Sequence, residues 1–208
     1  MSAENELNSA TSNKEDVFDS SYEISSWDEL DIDPNILRGI YAYGYEKPSP
    51  IQKKAIRPII AGKDIIGQAQ SGTGKTATFS IGALSTLRLS EQNTQVLVLS
   101  PTRELTMQTA KVFESIGCMM PGLKVQTAFG GSIVEESNGF SSKNVPHIVC
   151  GCPGRVFDMI RRDRLSCKNL RLVIIDEADE MLSSGFKEQV YGIFQNFNND
   201  IQVTLFSA

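Results

Sequence analysis

Histidine occurs once in these 208 residues, at position 147, and tryptophan once, at position 27. A single imidazole excludes any site that needs two, whether a multi-histidine metal centre or a histidine acid–base pair, and His147 reads as a residue at a strand start. Cysteine is scarce as well. Cys118, Cys150, Cys152 and Cys167 show neither the paired spacing of a zinc ribbon nor the density of a disulfide framework, so they read as free, mostly buried thiols of a reducing compartment. No run reaches the roughly 18 apolar residues that a membrane span requires, and the N-terminus lacks the basic-then-apolar order of a signal peptide. The expectation is a soluble intracellular chain that uses no membrane. A chain of this length can bury roughly 70% of its unfolded surface, so neither disulfide nor metal is needed to hold its core.

Basic charge is short in one place only. The net charge is −5, but residues 1–33 hold ten acidic side chains and one lysine, leaving nineteen basic against fifteen acidic in residues 34–208. An acidic arm therefore conceals a mildly basic body that can meet phosphates locally. Residues 1–24 are rich in Ser, Asn, Asp and Glu with few apolar anchors, and this composition predicts a disordered arm.

From Trp27 the pattern changes. Pro34 opens an apolar-periodic segment with Ile36, Leu37, Ile40 and Tyr41, ended by Gly44, and a second helical stretch starts near Ile51 and carries Ala55, Ile56 and Ile59. Strand candidates follow at 64–67, 96–100, 125–129, 147–150, 172–176 and 202–206. Segments of helical period lie between them. After Pro101, for example, Leu105, Thr109, Val112, Phe113 and Ile116 share one face, with Lys111, Glu114 and Ser115 on the other. Alternating strands and helices predict an α/β fold, a mainly parallel sheet covered on both faces, with ligands at the carboxyl ends of the strands. One such domain accounts for nearly everything after residue 27, and there is no internal repeat.

Two motifs carry chemistry. Ala69, Gln70, Ser71, Gly72, Thr73, Gly74, Lys75 and Thr76 form a glycine-rich loop whose backbone N–H groups can turn around an anion, helped by the positive end of the helix that begins near Lys75. Lys75 supplies a point charge to the outer phosphates, and the Thr76 hydroxyl can ligate Mg²⁺. Ala69 stands where the usual pattern has its first glycine, which requires a negative φ there. One hundred residues past Thr76, the run Leu172, Val173, Ile174 and Ile175 ends in Asp176, Glu177, Ala178 and Asp179. A buried strand delivers these carboxylates to the sheet edge, Asp176 to meet the metal through water and Glu177 to orient and deprotonate an attacking water. Together the motifs indicate an ATPase or a GTPase.

These two motifs occur in order with GYEKPSPIQ at 44–52, PTREL at 101–105, the pair Gly130 and Gly131, and PGR at 153–155. The set, covering residues 27–208, resembles the N-terminal core of the DEAD-box RNA helicases. The stretches RGIYAYGYEKPS and DEADEML resemble in particular the eukaryotic translation initiation factor four-A group, with the exon-junction paralogue nearly as similar. The resemblance implies a RecA-like P-loop fold divided into a disordered arm (1–24), an adenine-recognition segment (25–53) and the ATP-binding domain (54–208). It implies that Gln52 reads the adenine edge, an amide offering donor and acceptor side by side, and that Tyr45 stacks on the base. Alone, Gln52 reads as a surface helix residue. Trp27 aligns with an upstream aromatic that is usually phenylalanine.

Pro101, Thr102, Arg103, Glu104, Gly130, Gly131, Pro153, Gly154 and Arg155 match the family's contacts to the RNA backbone, a sequence-independent grip. Without the resemblance they read as helix caps and turns, with Arg103 a structural residue paired to a carboxylate. Cys152 departs from the family's usual threonine and should cap its helix less well, by about 1 kcal/mol. Asp179, Ser207 and Ala208 match positions that couple hydrolysis to strand separation. The implied protein is an ATP- and Mg²⁺-dependent RNA helicase of translation initiation, monomeric and cytoplasmic, working with initiation scaffold proteins and with a second RecA-like domain that these residues do not include. The alternative is an RNA clamp of the exon-junction type, which would be nuclear.

Overall fold

A computed structural model describes residues 20–130, 144–183 and 185–208. Six strands, β1 (Ile65–Gln68), β2 (Val96–Leu99), β3 (Val125–Ala128), β4 (Ile148–Gly151), β5 (Leu172–Ile175) and β6 (Gln202–Ser207), form one sheet in the order β1-β6-β5-β2-β4-β3. Every pairing is parallel. All six strand candidates are present, each within one residue of its expected ends. Among the described residues seven α-helices connect or precede them: α1 (Pro34–Ala42), α2 (Pro50–Ile60), α3 (Lys75–Thr86), α4 (Arg103–Ile116), α5 (Pro153–Arg161), α6 (Ala178–Ser183) and α7 (Lys187–Phe194).

Strand alternation sorts the core into two layers. Val96, Val98, Ile148, Cys150, Leu172 and Ile174 face one layer with Ile56, Phe79 and Phe113 from α2, α3 and α4. Leu97, Leu99, Val149, Val173 and Ile175 face the other, with Val156, Met181, Val190 and Ile193 from α5, α6 and α7. The central strands are buried on both faces, as a parallel sheet requires. In the first layer Phe79 lies 6.2 Å from Phe113 and 5.4 Å from Phe206 between ring centroids, both tilted. Each such pair contributes about 0.5–1.5 kcal/mol beyond the area it buries.

The expected disordered arm needs correction at its end. Residues 1–19 lie outside the described residues, but Ser20–Tyr22 form a 3-10 turn and Ile24 is fully buried, its N–H donating to the Lys53 carbonyl at 3.1 Å. Ile24, Trp27 and Leu30 recur every third residue and enter the first core layer together. Their spacing was masked by the polar residues around them.

The cysteines are free, with Cys150 and Cys167 buried as expected, whereas Cys118 is exposed. His147 immediately precedes β4, and its Nδ1 accepts from the Lys124 N–H at 3.1 Å. It serves the junction of β3 and β4. Among the described residues no helix is long and apolar enough to cross a membrane.

Candidate functional site

β1 ends at Gln68 and the chain turns through residues 69–74 into α3. Gly72 and Gly74 have φ of 80° and 95°, a region that side chains with a Cβ resist. Gly74 has a second constraint, since a Cβ there would sit 2.6 Å from Gln52 Nε2. Among the described residues the non-glycines with positive φ are Asp163 and Glu177, so Ala69 has the negative φ it needs. Thr73 closes the loop by donating from its hydroxyl to the Gln70 carbonyl at 2.7 Å. Ser71 is exposed, and Thr76 lies half-buried in the first turn of α3.

Lys75 is only 5% exposed. Its Nζ donates to the Ala69 carbonyl at 2.8 Å and lies 3.7 Å from Glu177 Oε1. The phosphate loop and the acidic pair therefore share one end of the sheet, although their strands are not neighbours. β6 lies between them, and its end is tied to the loop: the Ala69 N–H donates to the Ser207 carbonyl at 3.2 Å, and Gln68 Nε2 donates to the Ala208 carbonyl at 3.0 Å. Asp179 stands apart, exposed in the first turn of α6 with its carbonyl accepting from the Ser183 hydroxyl.

Asp176 is 4% exposed. Burial first, and then the neighbouring Glu177 charge, push its carboxyl up to about 6 against the opposing pull of Lys75 and of the Glu177 N–H, which donates to Asp176 Oδ1 at 3.1 Å. Glu177 has φ of 51°, a left-handed conformation costing roughly 1–2 kcal/mol. That turn leaves the two carboxylates on successive residues at the strand end. No group of three or more His, Cys, Asp or Glu able to hold a metal occurs among the described residues. A divalent cation would here have Asp176 and the Thr76 hydroxyl, with phosphate and water completing its shell, which suits Mg²⁺. A buried carboxylate whose ionisation is opposed by desolvation fits such a charge.

Gln52 is 2% exposed, so it is not a surface helix residue. Its Oε1 accepts from the Ser49 N–H at 2.7 Å and its Nε2 donates to the Gly74 carbonyl at 3.4 Å, joining the start of α2 to the phosphate loop. One lone pair and one hydrogen of the amide remain for a base edge. Tyr45 is half-buried, 5.0 Å from the Tyr43 ring and 6.5 Å from Trp27. Trp27 is fully buried, and its Nε1 donates to the Tyr45 carbonyl at 3.0 Å, a bond that phenylalanine cannot make.

The other half of the same sheet edge, the ends of β2, β4 and β3, carries the remaining motifs. Pro101 is buried and Thr102 caps α4, its hydroxyl accepting from the Leu105 N–H at 3.2 Å. Arg103 and Glu104 are exposed in the first turn. Arg103 lies 4.6 Å over the Phe129 ring, a cation–π contact. Gly130 is exposed with open space at its Cα, and Gly131 lies outside the described residues. Pro153 starts α5, Gly154 is exposed and Arg155 pairs with Asp158 at 3.5 Å. Cys152 makes no side-chain cap to α5; its Sγ meets the Thr106 hydroxyl at 3.4 Å.

A glycine loop after one strand and an acidic pair after another, on a parallel sheet with both faces covered, define a P-loop nucleotide-binding domain of the RecA-like type. The DEAD/DEAH box helicase family model matches residues 49–208, and the chain belongs to that family. It is 48% identical over 196 residues to eukaryotic initiation factor 4A-3 of Arabidopsis thaliana, covering 93% of this chain and 47% of the relative. The structure is similar to a DEAD box protein of the hyperthermophile Methanococcus jannaschii, with a TM-score of 0.83 and 37% identity over 89% of this chain and 50% of that one. It is also similar to S. cerevisiae Dbp5 bound to RNA and ADP BeF3, with a TM-score of 0.81 and 34% identity over 89% of this chain and 46% of that one. The chain thus spans about half the length of these relatives.

Proposed function

We propose that this chain is the ATP-binding half of an ATP-dependent RNA helicase whose complete form unwinds short RNA duplexes. The observation that carries the reading is the meeting of Lys75 with Glu177, 3.7 Å apart beside buried Asp176, on an edge whose other half presents two helix starts and an open glycine. Lys75 and the loop N–H groups hold the outer phosphates. Gln52 reads the adenine and Tyr45 stacks on it. Asp176 and Thr76 hold Mg²⁺, which when bound neutralises phosphate charge. Glu177 orients a water and takes its proton as the water oxygen bonds to the γ-phosphorus and the bond to the bridging oxygen breaks, leaving ADP and phosphate. Residues 101–104, 130–131 and 153–155 grip the RNA backbone through N–H groups and charge, without reading bases.

Calorimetric titration with Mg²⁺ and either ATP or GTP tests this. ATP is expected to bind in clear preference. Equal binding of GTP would point to a GTPase switch, and binding of neither would remove the reading. Hydrolysis by these residues alone is expected to be slow, since the family resemblance assigns the arginine finger to the second RecA-like domain, and such a finger in related phosphoryl transfer supplies about 10³–10⁵ in rate; vigorous RNA-stimulated turnover would refute that.

A finer reading is a cytoplasmic role in translation initiation alongside scaffold proteins, which the 48% identity to initiation factor 4A-3 does not distinguish from the alternative. The alternative is an ATP-locked RNA clamp. In the full-length protein a clamp holds RNA for many minutes in ATP, whereas a helicase releases it on hydrolysis.

A further inference from the structure

Resting on the ATP site just described, we propose that Arg57 is a positioning residue of the adenine pocket, acting through residues 23–30, which it clamps against α2. Its Nη1 donates to the Glu23 carbonyl at 3.3 Å and its Nη2 to the Glu29 carbonyl at 2.5 Å. A planar fork can hold two carbonyls six residues apart in one fixed geometry, which a flexible ammonium does less well. The clamped segment is closed on itself: the Ser25 N–H donates to the Glu29 carboxylate at 3.2 Å, and Ser26 caps the 3-10 turn Trp27–Glu29. Its far side presses Trp27 into the core, with the indole N–H on the Tyr45 carbonyl at 3.0 Å.

α2 is therefore the common reference for both ends of the base pocket. Gln52 sits in its first turn, and Arg57, five residues on, fixes the segment that holds Tyr45. Among the described residues the side chain of this assembly that hydrogen-bonds to the phosphate loop is Gln52, to the Gly74 carbonyl, whereas the Arg57 guanidinium hydrogen-bonds to residues 23 and 29. Loosening the clamp should then displace the base-stacking side while leaving the phosphate side in place. A residue that only stabilised the fold would weaken both alike.

The test titrates the 208-residue chain and its variants with Mg²⁺·ATP and with Mg²⁺·tripolyphosphate, which has the phosphates and no base. Arg57→Ala is expected to weaken ATP by about tenfold, and Arg57→Lys and Trp27→Phe by about threefold each. Tripolyphosphate is expected to change by less than about twofold in all three. Unaltered ATP binding, or equal weakening of both ligands, overturns the proposal. If Arg57→Ala does not fold, the two milder variants decide by the same comparison. Failure of the unsubstituted chain to bind either ligand instead overturns the ATP site itself.

Discussion

Burial pushes the Asp176 carboxyl up to about 6 from an ordinary 3.8, so ionising it is harder in the folded chain than in the unfolded one. The cost to stability is complete above about pH 6 and fades as the pH falls toward 4. Asp176→Asn is therefore expected to stabilise the metal-free protein by about 1–3 kcal/mol at pH 7.5, with the gain shrinking toward pH 4, as urea melts across that range would measure. The same change should abolish Mg²⁺-dependent ATP binding, a trade of stability against function. An equal gain at both pH values would mean that ionisation is not the cause. Glu177→Gln keeps the shape and loses the base. Joined to a second domain, that variant is expected to bind ATP while turnover falls by about 10²–10⁴, measured in single-turnover hydrolysis.

At the scale of elements, the phosphate loop and the start of α5 are built to different standards. Gly74 combines a φ of 95° with a Cβ position already filled by Gln52. Gly74→Ala is expected to lose about 1–3 kcal/mol of stability together with ATP affinity, by thermal melting and titration; unchanged affinity would show that the loop rearranges freely. The start of α5 lacks a side-chain cap at Cys152. Cys152→Thr is expected to raise stability by about 1 kcal/mol, less whatever the Thr106 contact contributes, and an unshifted urea midpoint would count against capping as the deficit. Apolar periodicity and turn residues made these elements legible in advance, including α4 with its apolar stripe from Leu105 to Ile116. The burial of Ile24 was not legible, because an i, i+3, i+6 triad in a polar stretch acquires meaning only when a core is there to receive it.

For the whole molecule, strand order divides one sheet edge into two. The ends of β1, β6 and β5 carry the phosphate loop, Ser207 and the acidic pair, and the ends of β2, β4 and β3 carry the helix starts and Gly130. Coupling between such sites needs an element that both ligands bias, and the reading proposed above assigns that part to a second RecA-like domain. RNA is therefore expected to change the ATP affinity of this chain by less than about twofold, and a tenfold tightening in a competition titration would show coupling within one domain. Motif chemistry was readable along the chain because glycine spacing, Lys75 and adjacent carboxylates are local properties. So were the six strands, since alternation and β-branching are written into short windows. The tertiary structure alone decided that β6 intervenes between β1 and β5, that Arg103 lies over Phe129, that Gln52 is buried against Gly74, and that Arg57 and Trp27 tie residues 23–30 to α2 and to Tyr45. Those are contacts between residues 18 to 139 positions apart, and no local rule of propensity encodes which distant partners a packed core will bring within hydrogen-bonding reach.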